Sequence, residues 1–431
     1  IRDRYNINKL NFRRLLLFMR RKLYPSYSLS ILIFSIFVIF GLIVDGPINV
    51  FNGLKEIIFS PDILITDYVA IGGIGAAFVN AGLVTLLSIA LLIIIGIKPN
   101  GSTLMSLWLM AGFSFFGKNV LNVWPIILGV WLYSKYKKEP FLNYSLIALL
   151  GTSLAPAVSQ LSFVGLFPVY VSIPMGCAIG IGIGFILSPL AANCTKLHQG
   201  YNLYNVGFAA GLLGTMLMAI FRALGITFES KFIWSTGNNL LFGVFLIVIF
   251  LILIGFGVYD NKDALKNTSK ITKHSGRLVS DYYIMYGKAA YINMGILGIL
   301  STIIVIIIGG ELNGPTMGGI MTIVGFGAFG KHPLNVIPIM IGALLSSVLN
   351  IWGIASPQML ISMLFSTTLA PIAGQFGWKY GILAGFLHVC TVMNTGYLHG
   401  GLNLYNNGLA GGFVAMTLIP LIHAFRREQT N

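Results

Sequence analysis

The chain has 431 residues, of which 56% are apolar and 9% charged, and its mean hydropathy is +0.85. Soluble domains carry about 25% charged residues, so this composition excludes them and implies a polytopic membrane protein. The net charge of +15 does not point to nucleic acid, because the basic residues lie in blocks beside apolar segments, where positive-inside sorting puts them.

Residues 1–27 form a basic N-terminus (Arg2, Arg4, Lys9, Arg13, Arg14, Arg20, Arg21, Lys22), expected on the cytoplasmic side. A first span around Leu29–Val44 follows without a small-residue cleavage site, so it is expected to be retained. Residues 28–74 hold this span and an outer loop with Asp45, Glu56, Asp62 and Asp67. Leu240–Val258 and Ile292–Ile308, with their flanks, also reach the roughly 20 apolar residues a spanning helix needs. Strands of alternating polarity are not seen, so the spans are read as helices, which satisfy their own backbone in lipid.

Two long units follow, 75–224 and 288–424, joined by residues 225–287, which contain a connecting span and a basic linker; residues 425–431 form a tail. Their likeness is direct. Asn100-Gly101 matches Asn313-Gly314, and FGKNVLNVWPIILG (116–129) matches FGKHPLNVIPIMIG (329–342) at nine of fourteen positions. TSLAPAVSQ (152–160) matches TTLAPIAGQ (367–375), and LHQGYNLYNVGFAAG (197–211) matches LHGGLNLYNNGLAGG (398–412) at ten of fifteen. Placing the basic residues inside starts the first unit outside and the second inside. The expected fold is therefore all-α, with about ten transmembrane helices in two inverted-topology repeats and both termini cytoplasmic.

Residues 100–134 and 313–350 each contain two short apolar stretches broken at a glycine-lysine pair. Each is either a re-entrant hairpin or two thin spans; the hairpin is preferred, because a polar break is tolerated at depth only inside protein or beside water. Lys118 and Lys331, the only cations duplicated, would then set a preference for anions, aided by half-helix N-termini after Asn100 and Asn313. No duplicated acidic residue is recognised at depth. Lysines snorkelling from short turns are the plainer alternative.

On a helical projection His198, Asn202 and Asn205 share one face, opposite Gly207, Gly211 and Gly214; His399, Asn403 and Asn406 repeat this against Gly408 and Gly412. The glycines suit close helix approach, and the amides either line a path or fasten helices. Tyr204 and Tyr405 fall towards the glycine side and read as packing or interfacial anchors. Asn122 and Asn335, one turn before Pro125 and Pro338, and Gln160 and Gln375, following Pro156 and Pro371, are further lining candidates at kinked or broken helices. Cys177, Cys194 and Cys390 have no metal-ligand spacing and read as buried hydrophobes. No cofactor, metal or catalytic motif is found.

The paired LHxGxNLYNxG and FGKxxLNVxP motifs resemble a duplicated bacterial integral-membrane family of unknown function, over nearly all of the chain from about residue 70. That resemblance implies a membrane protein and no activity. A shorter stretch, Gly401–Gly412, is similar to a glycine-rich motif of urea transporters, which also have two inverted halves. The function read here is transport of a small polar or anionic solute across the cytoplasmic membrane, by channel or carrier, with the path at the repeat interface. The partners are that solute and the bilayer, with self-association into a homo-oligomer left open. A non-transporting scaffold or sensor is the alternative, and a membrane-embedded enzyme a distant third.

Overall fold

The computed structural model describes residues 27–62, 65–228, 232–259, 261–277, 280–349 and 352–426; the basic N-terminus and the end of the tail lie outside them. Among the described residues, nine helical stretches are long and apolar enough to cross a membrane. Trp378–Thr395, an 18-residue helix outside those nine, is the repeat counterpart of Val169–His198. The chain is thus an all-helical polytopic membrane protein.

The first long helix, α1 (Ser28–Phe59), breaks at Gly46 (φ 74°), and α2 (Tyr68–Ile94) breaks at Gly73 (φ 86°). Asp45 holds the junction by accepting a 2.6 Å bond from the Gly75 amide. Next come the half-helix α3 (Gly101–Phe113), α4 (Val123–Lys137), α5 (Ser145–Gly151), α6 (Ala155–Phe163), α7 (Val169–His198) and α8 (Asn205–Ala223). The connection holds α9 (Asn239–Val258), α10 (Ala264–Ile271) and α11 (Tyr282–Tyr286), and the second repeat runs α12 (Ala289–Ile307), the half-helix α13 (Gly314–Phe326), α14 (Pro333–Leu345), α15 (Pro357–Ser366), α16 (Ala370–Phe376), α17 (Trp378–Thr395) and α18 (Asn406–Phe425).

The half-helices start where the sequence stops them from starting earlier. The Asn100 side chain accepts from the Thr103 amide while the Thr103 hydroxyl accepts from the Asn100 amide, both at 2.8 Å; Asn313 and Thr316 repeat this box. Each is 13 residues long, hence about 20 Å, well short of a bilayer core of about 30 Å.

These two half-helices also reveal the symmetry. Gly112 faces Gly318, and Gly325 faces Trp108 and Leu109, so α3 and α13 lie side by side and antiparallel. Equivalent helices running oppositely require a twofold axis in the membrane plane, which is the inverted arrangement. The glycines let the backbones approach: a Cβ on Gly112 would sit 3.0 Å from the Gly318 carbonyl oxygen. The other contacts recur in pairs, Gly129 on Ile181 with Gly342 on Ile382, and Gly184 on Ile126 with Gly385 on Ile339.

One face of the molecule carries the 261–281 linker. Tyr27 donates to the Ile97 carbonyl, the Gly101 amide donates to Asp281, Gly374 packs on Ser275, and the Arg426 guanidinium lies over Phe376. Both described ends therefore sit on this linker face. On the opposite, far face the Ile233 amide donates to Ile65 and the Asp67 amide to Ile233. Lys118 and Lys331 are fully buried, which removes the reading of thin spans with the lysines at a surface and supports hairpins packed inside protein.

Both hairpin bends hang on one amide each. Asn80 donates to the Ser114 and Lys118 carbonyls (2.7 and 2.8 Å), and Asn293 to those of Gly327 and Lys331 (2.7 and 2.8 Å). Asn293→Leu would strand two buried carbonyls at roughly 1–3 kcal/mol each. Thermal unfolding of the detergent-purified protein should show a clear loss of stability for this variant and for Asn80→Leu. An unchanged melting temperature would mean that other donors satisfy the bends.

Candidate functional site

At the axis the two lysines reach across to the opposite repeat. Lys331 Nζ donates to Tyr204 Oη and to Thr367 Oγ1, both at 2.7 Å, while Lys118 Nζ lies 3.3 Å from Tyr405 Oη and 3.6 Å from Met110 Sδ. Each ammonium also stands over two rings, Lys118 over Phe113 and Tyr405 and Lys331 over Phe326 and Tyr204, at 4.7–5.3 Å. Tyr204 and Tyr405 are therefore not interfacial anchors, as their side of the projection suggests; they are buried donor–acceptor partners of the lysines. No carboxylate pairs with either lysine among the described residues. A fully buried lysine without a carboxylate beside it is costly to keep charged.

The helical projection from His198 does not hold. Helix α7 ends at His198, Gln199 and Gly200 take left-handed backbone (φ 52° and 77°), and α8 begins only at Asn205. The chain between is not helical, and Leu203 N donates to Thr368 O at 3.0 Å; in the second copy Leu404 N donates to Ser153 O at 3.0 Å. Each of these connections thus threads the broken helix of the other repeat. Those breaks are 3-10 turns, Thr152–Leu154 and Thr367–Leu369, with Pro156 and Pro371 opening the next helix as the LAP motifs lead one to expect.

This threading changes the role of most of the expected amides. Asn205 bonds His198 (2.9 Å) and donates to Ala191 O (2.9 Å), and Asn406 bonds His399 (2.9 Å) and donates to Val392 O (3.3 Å). They fasten the end of the preceding helix to the start of the next, although Asn406 also borders a cavity described below. Asn122 and Asn335 brace the hairpin bends by donating to Gly117 O (3.0 Å) and Gly330 O (2.9 Å). Asn202 donates to Gly408 O (2.8 Å) and accepts from Thr368. Gln160 is buried in α6, whereas Gln375, near the end of α16, is exposed. The glycines do serve close packing, Gly207 against Gly408 and Tyr405, Gly211 against Leu409, and Gly412 against Phe208.

A duplicated pair of acids lies at the two faces, outside the depth to which the sequence reading was confined. Asp281 accepts from Gly101 N at 2.9 Å with both oxygens, and Asp67 accepts from Gly314 N at 3.2 Å. Each caps the half-helix of the other repeat, so those positive helix ends are met by carboxylates of the chain and not left for a solute. Asp67-Tyr68 against Asp281-Tyr282, and Asn80 against Asn293, keep offsets of 214 and 213; carrying the alignment upstream of residue 75 would have found them.

The halves are not in the same state. A cleft of about 720 Å³ descends from the far face, past Phe228, Phe232 and Arg222, to Gly401, Leu404, Asn406 and Asn407. On the linker face the counterpart of Met218 is Ile419, buried in an apolar cluster with Tyr201, Leu369 and Val414. There Arg277 Nε donates to Gln199 O (3.1 Å) and its guanidinium covers the Tyr201 ring (4.4 Å). The hydrogen bonds follow suit: Asn202 and Thr368 are fully paired, whereas Asn403 Nδ2 and Ser153 Oγ, their counterparts, have no partner among the described residues. Between the faces a void of about 10 Å³, room for a single water, touches Tyr204, Tyr405, Phe113 and Phe365.

A family model described as "Protein of unknown function (DUF1576)" matches residues 46–223 and 260–424. No curated protein and no solved structure matches the chain; the likeness of Gly401–Gly412 to urea transporters gains no support.

In the far-face connection Asp62 accepts from Tyr68 Oη (2.8 Å) and Asn122 Nδ2 (3.2 Å), with its other oxygen unpaired. Burial pushes its carboxyl up to about 7, and these bonds only partly offset that. The folded state then holds a proton that the unfolded state, near 3.9, releases, so this group makes stability fall as pH rises from about 4 to about 7 and stay level above. Melting curves between pH 4.5 and 8 should show that fall, and Asp62→Asn should flatten it; an unaltered slope in the variant would assign the effect elsewhere.

Proposed function

We propose that this chain, which belongs to the DUF1576 family of proteins of unknown function, is a carrier that moves a small polar or anionic solute across the cytoplasmic membrane. The observation that carries this reading is the unequal state of two inverted repeats: a deep cleft on one face, packed residues at the equivalent place on the other, and a closed layer between. A continuous channel would need neither the difference nor the barrier. In inverted-repeat transporters, exchange of the two repeat conformations moves a central site from one face to the other. The basic linker, with Lys262, Lys266, Lys270, Lys273 and Arg277, supports a cytoplasmic linker face and a cleft that opens outward.

Within this reading Lys118 and Lys331 are the central charges, each released from its tyrosine in turn when an anion crosses the layer. Unpaired acceptors and donors around Asn403 and Ser153 mark the half that closes in the opposite state. A non-transporting scaffold is the second reading, favoured by the internal bonding of Asn205 and Asn406.

Proteoliposome uptake of neutral, anionic and cationic solutes separates the two; absence of flux for every solute leaves the scaffold. Lys118→Met and Lys331→Met should keep the fold, since apolar replacement of a buried charge is often neutral, yet lower anion flux by tenfold or more. In a chain lacking Cys177, Cys194 and Cys390, Leu404→Cys should react with an impermeant thiol reagent from outside and Leu203→Cys should not. Addition of a transported solute should raise labelling of Leu203→Cys from inside. Labelling of both positions from one side at once would point to a channel.

A further inference from the structure

At the floor of the cleft the repeats differ in chemistry as well as in state. Asn407 lines both the cleft and the void beneath it. Its Oδ1 is held by His388 Nε2 at 2.9 Å, and among the described residues its Nδ2 has no partner. The residue is 5% exposed and borders both cavities, which leaves the cleft and the void as the places from which that donor is reached. In the first repeat the two positions, at the constant offset of 201, carry Leu187 and Val206. Both are buried. The fold is therefore satisfied by an apolar pair at this place, and the polar pair answers to something other than packing.

Above it the walls are apolar and aromatic, with Phe116, Phe228, Phe365 and Met393 among them, and the lining includes no carboxylate. Its one cation is Arg222 at the mouth, which lies over the Tyr397 ring at 4.1 Å and donates to the Tyr397 carbonyl at 2.6 Å. A volume of about 720 Å³ suits an organic molecule and is far larger than a bare inorganic anion requires.

We infer that Asn407, positioned by His388, is a recognition residue for the acidic head of an organic carboxylate whose apolar chain lies along the cleft. This inference rests on the cleft being a solute site of the proposed carrier and names the class of solute. The amide N–H donates to a carboxylate oxygen at the floor, one layer above Lys118 and Tyr405, and Phe116 and Phe365 enclose the hydrocarbon. The histidine fixes the amide by donating to its oxygen, which leaves only the N–H for the solute.

The test is equilibrium binding to the full-length protein in detergent, with straight-chain carboxylates from acetate to octanoate, and with hexan-1-ol and hexylammonium as controls. Affinity should rise from acetate to hexanoate, and hexanoate should bind well above both controls. Asn407→Val should weaken hexanoate binding by about ten- to a hundredfold, the effect of losing one donor to a charged acceptor. His388→Leu should weaken it less, and His388→Gln, which keeps a donor for the Asn407 oxygen, should recover most of it. Melting temperatures of Asn407→Val and His388→Leu should match the parent, since the first repeat tolerates those residues. Equal binding by Asn407→Val, equal affinity for the alcohol or the amine, or no carboxylate bound at all would overturn the assignment. Flux of other solutes without carboxylate binding would sink this inference and leave the carrier standing; carboxylate binding without any flux would do the reverse.

Discussion

A backbone group freed by a broken helix must find its partner inside the protein when lipid surrounds it, and here that partner is supplied by the other repeat. The non-helical segment before α8 pairs with the 3-10 break at Thr368, and the one before α18 with the break at Ser153. The half-helices start on carboxylates of the opposite copy, Asp281 beneath Gly101 and Asp67 above Gly314. Each repeat ties its own hairpin bend and helix ends, but its 3-10 break and half-helix start are met from the other copy, so the two assemble as an interlocked pair. Everything at the axis, the lysine–tyrosine crossings included, follows from that exchange.

The same arrangement gives the molecule room to differ between its halves. Cross-repeat bonds are few and local, so one set can loosen while its counterpart stays closed. The Asn202–Thr368 set is fully made, and the Asn403–Ser153 set lacks two partners on the side where the cleft opens. A symmetric scaffold with one half slack is bistable in principle: inversion of the slack and tight halves gives an equivalent arrangement facing the other way. Where the copies differ in sequence, as at Asn407 and His388 against Val206 and Leu187, that equivalence is broken deliberately at the floor of the open side.

Much of this was legible in the chain. The helical membrane class follows from composition, the duplication from motif identity, and the inverted placement from lysine and arginine blocks, since each rests on local properties that survive without tertiary contacts. Gly207 and Gly408 meet closely because neither carries a side chain to hold the helices apart. Reading Asn205 and Asn406 as path-lining amides was less secure, because a helical wheel assumes continuity and the left-handed turn at Gln199 and Gly200 removes it.

By itself, then, the sequence determined the class of fold, the pairing of its repeated motifs, and which polar residues come in twos. Which partner each polar group takes was decided only in three dimensions. Lys118 meets Tyr405 across 287 residues and Gly314 meets Asp67 across 247, and such separations leave no periodic trace in the chain. Hydrogen bonding in a low-dielectric interior is short-ranged and directional, so its outcome depends on the packing that brings distant segments together.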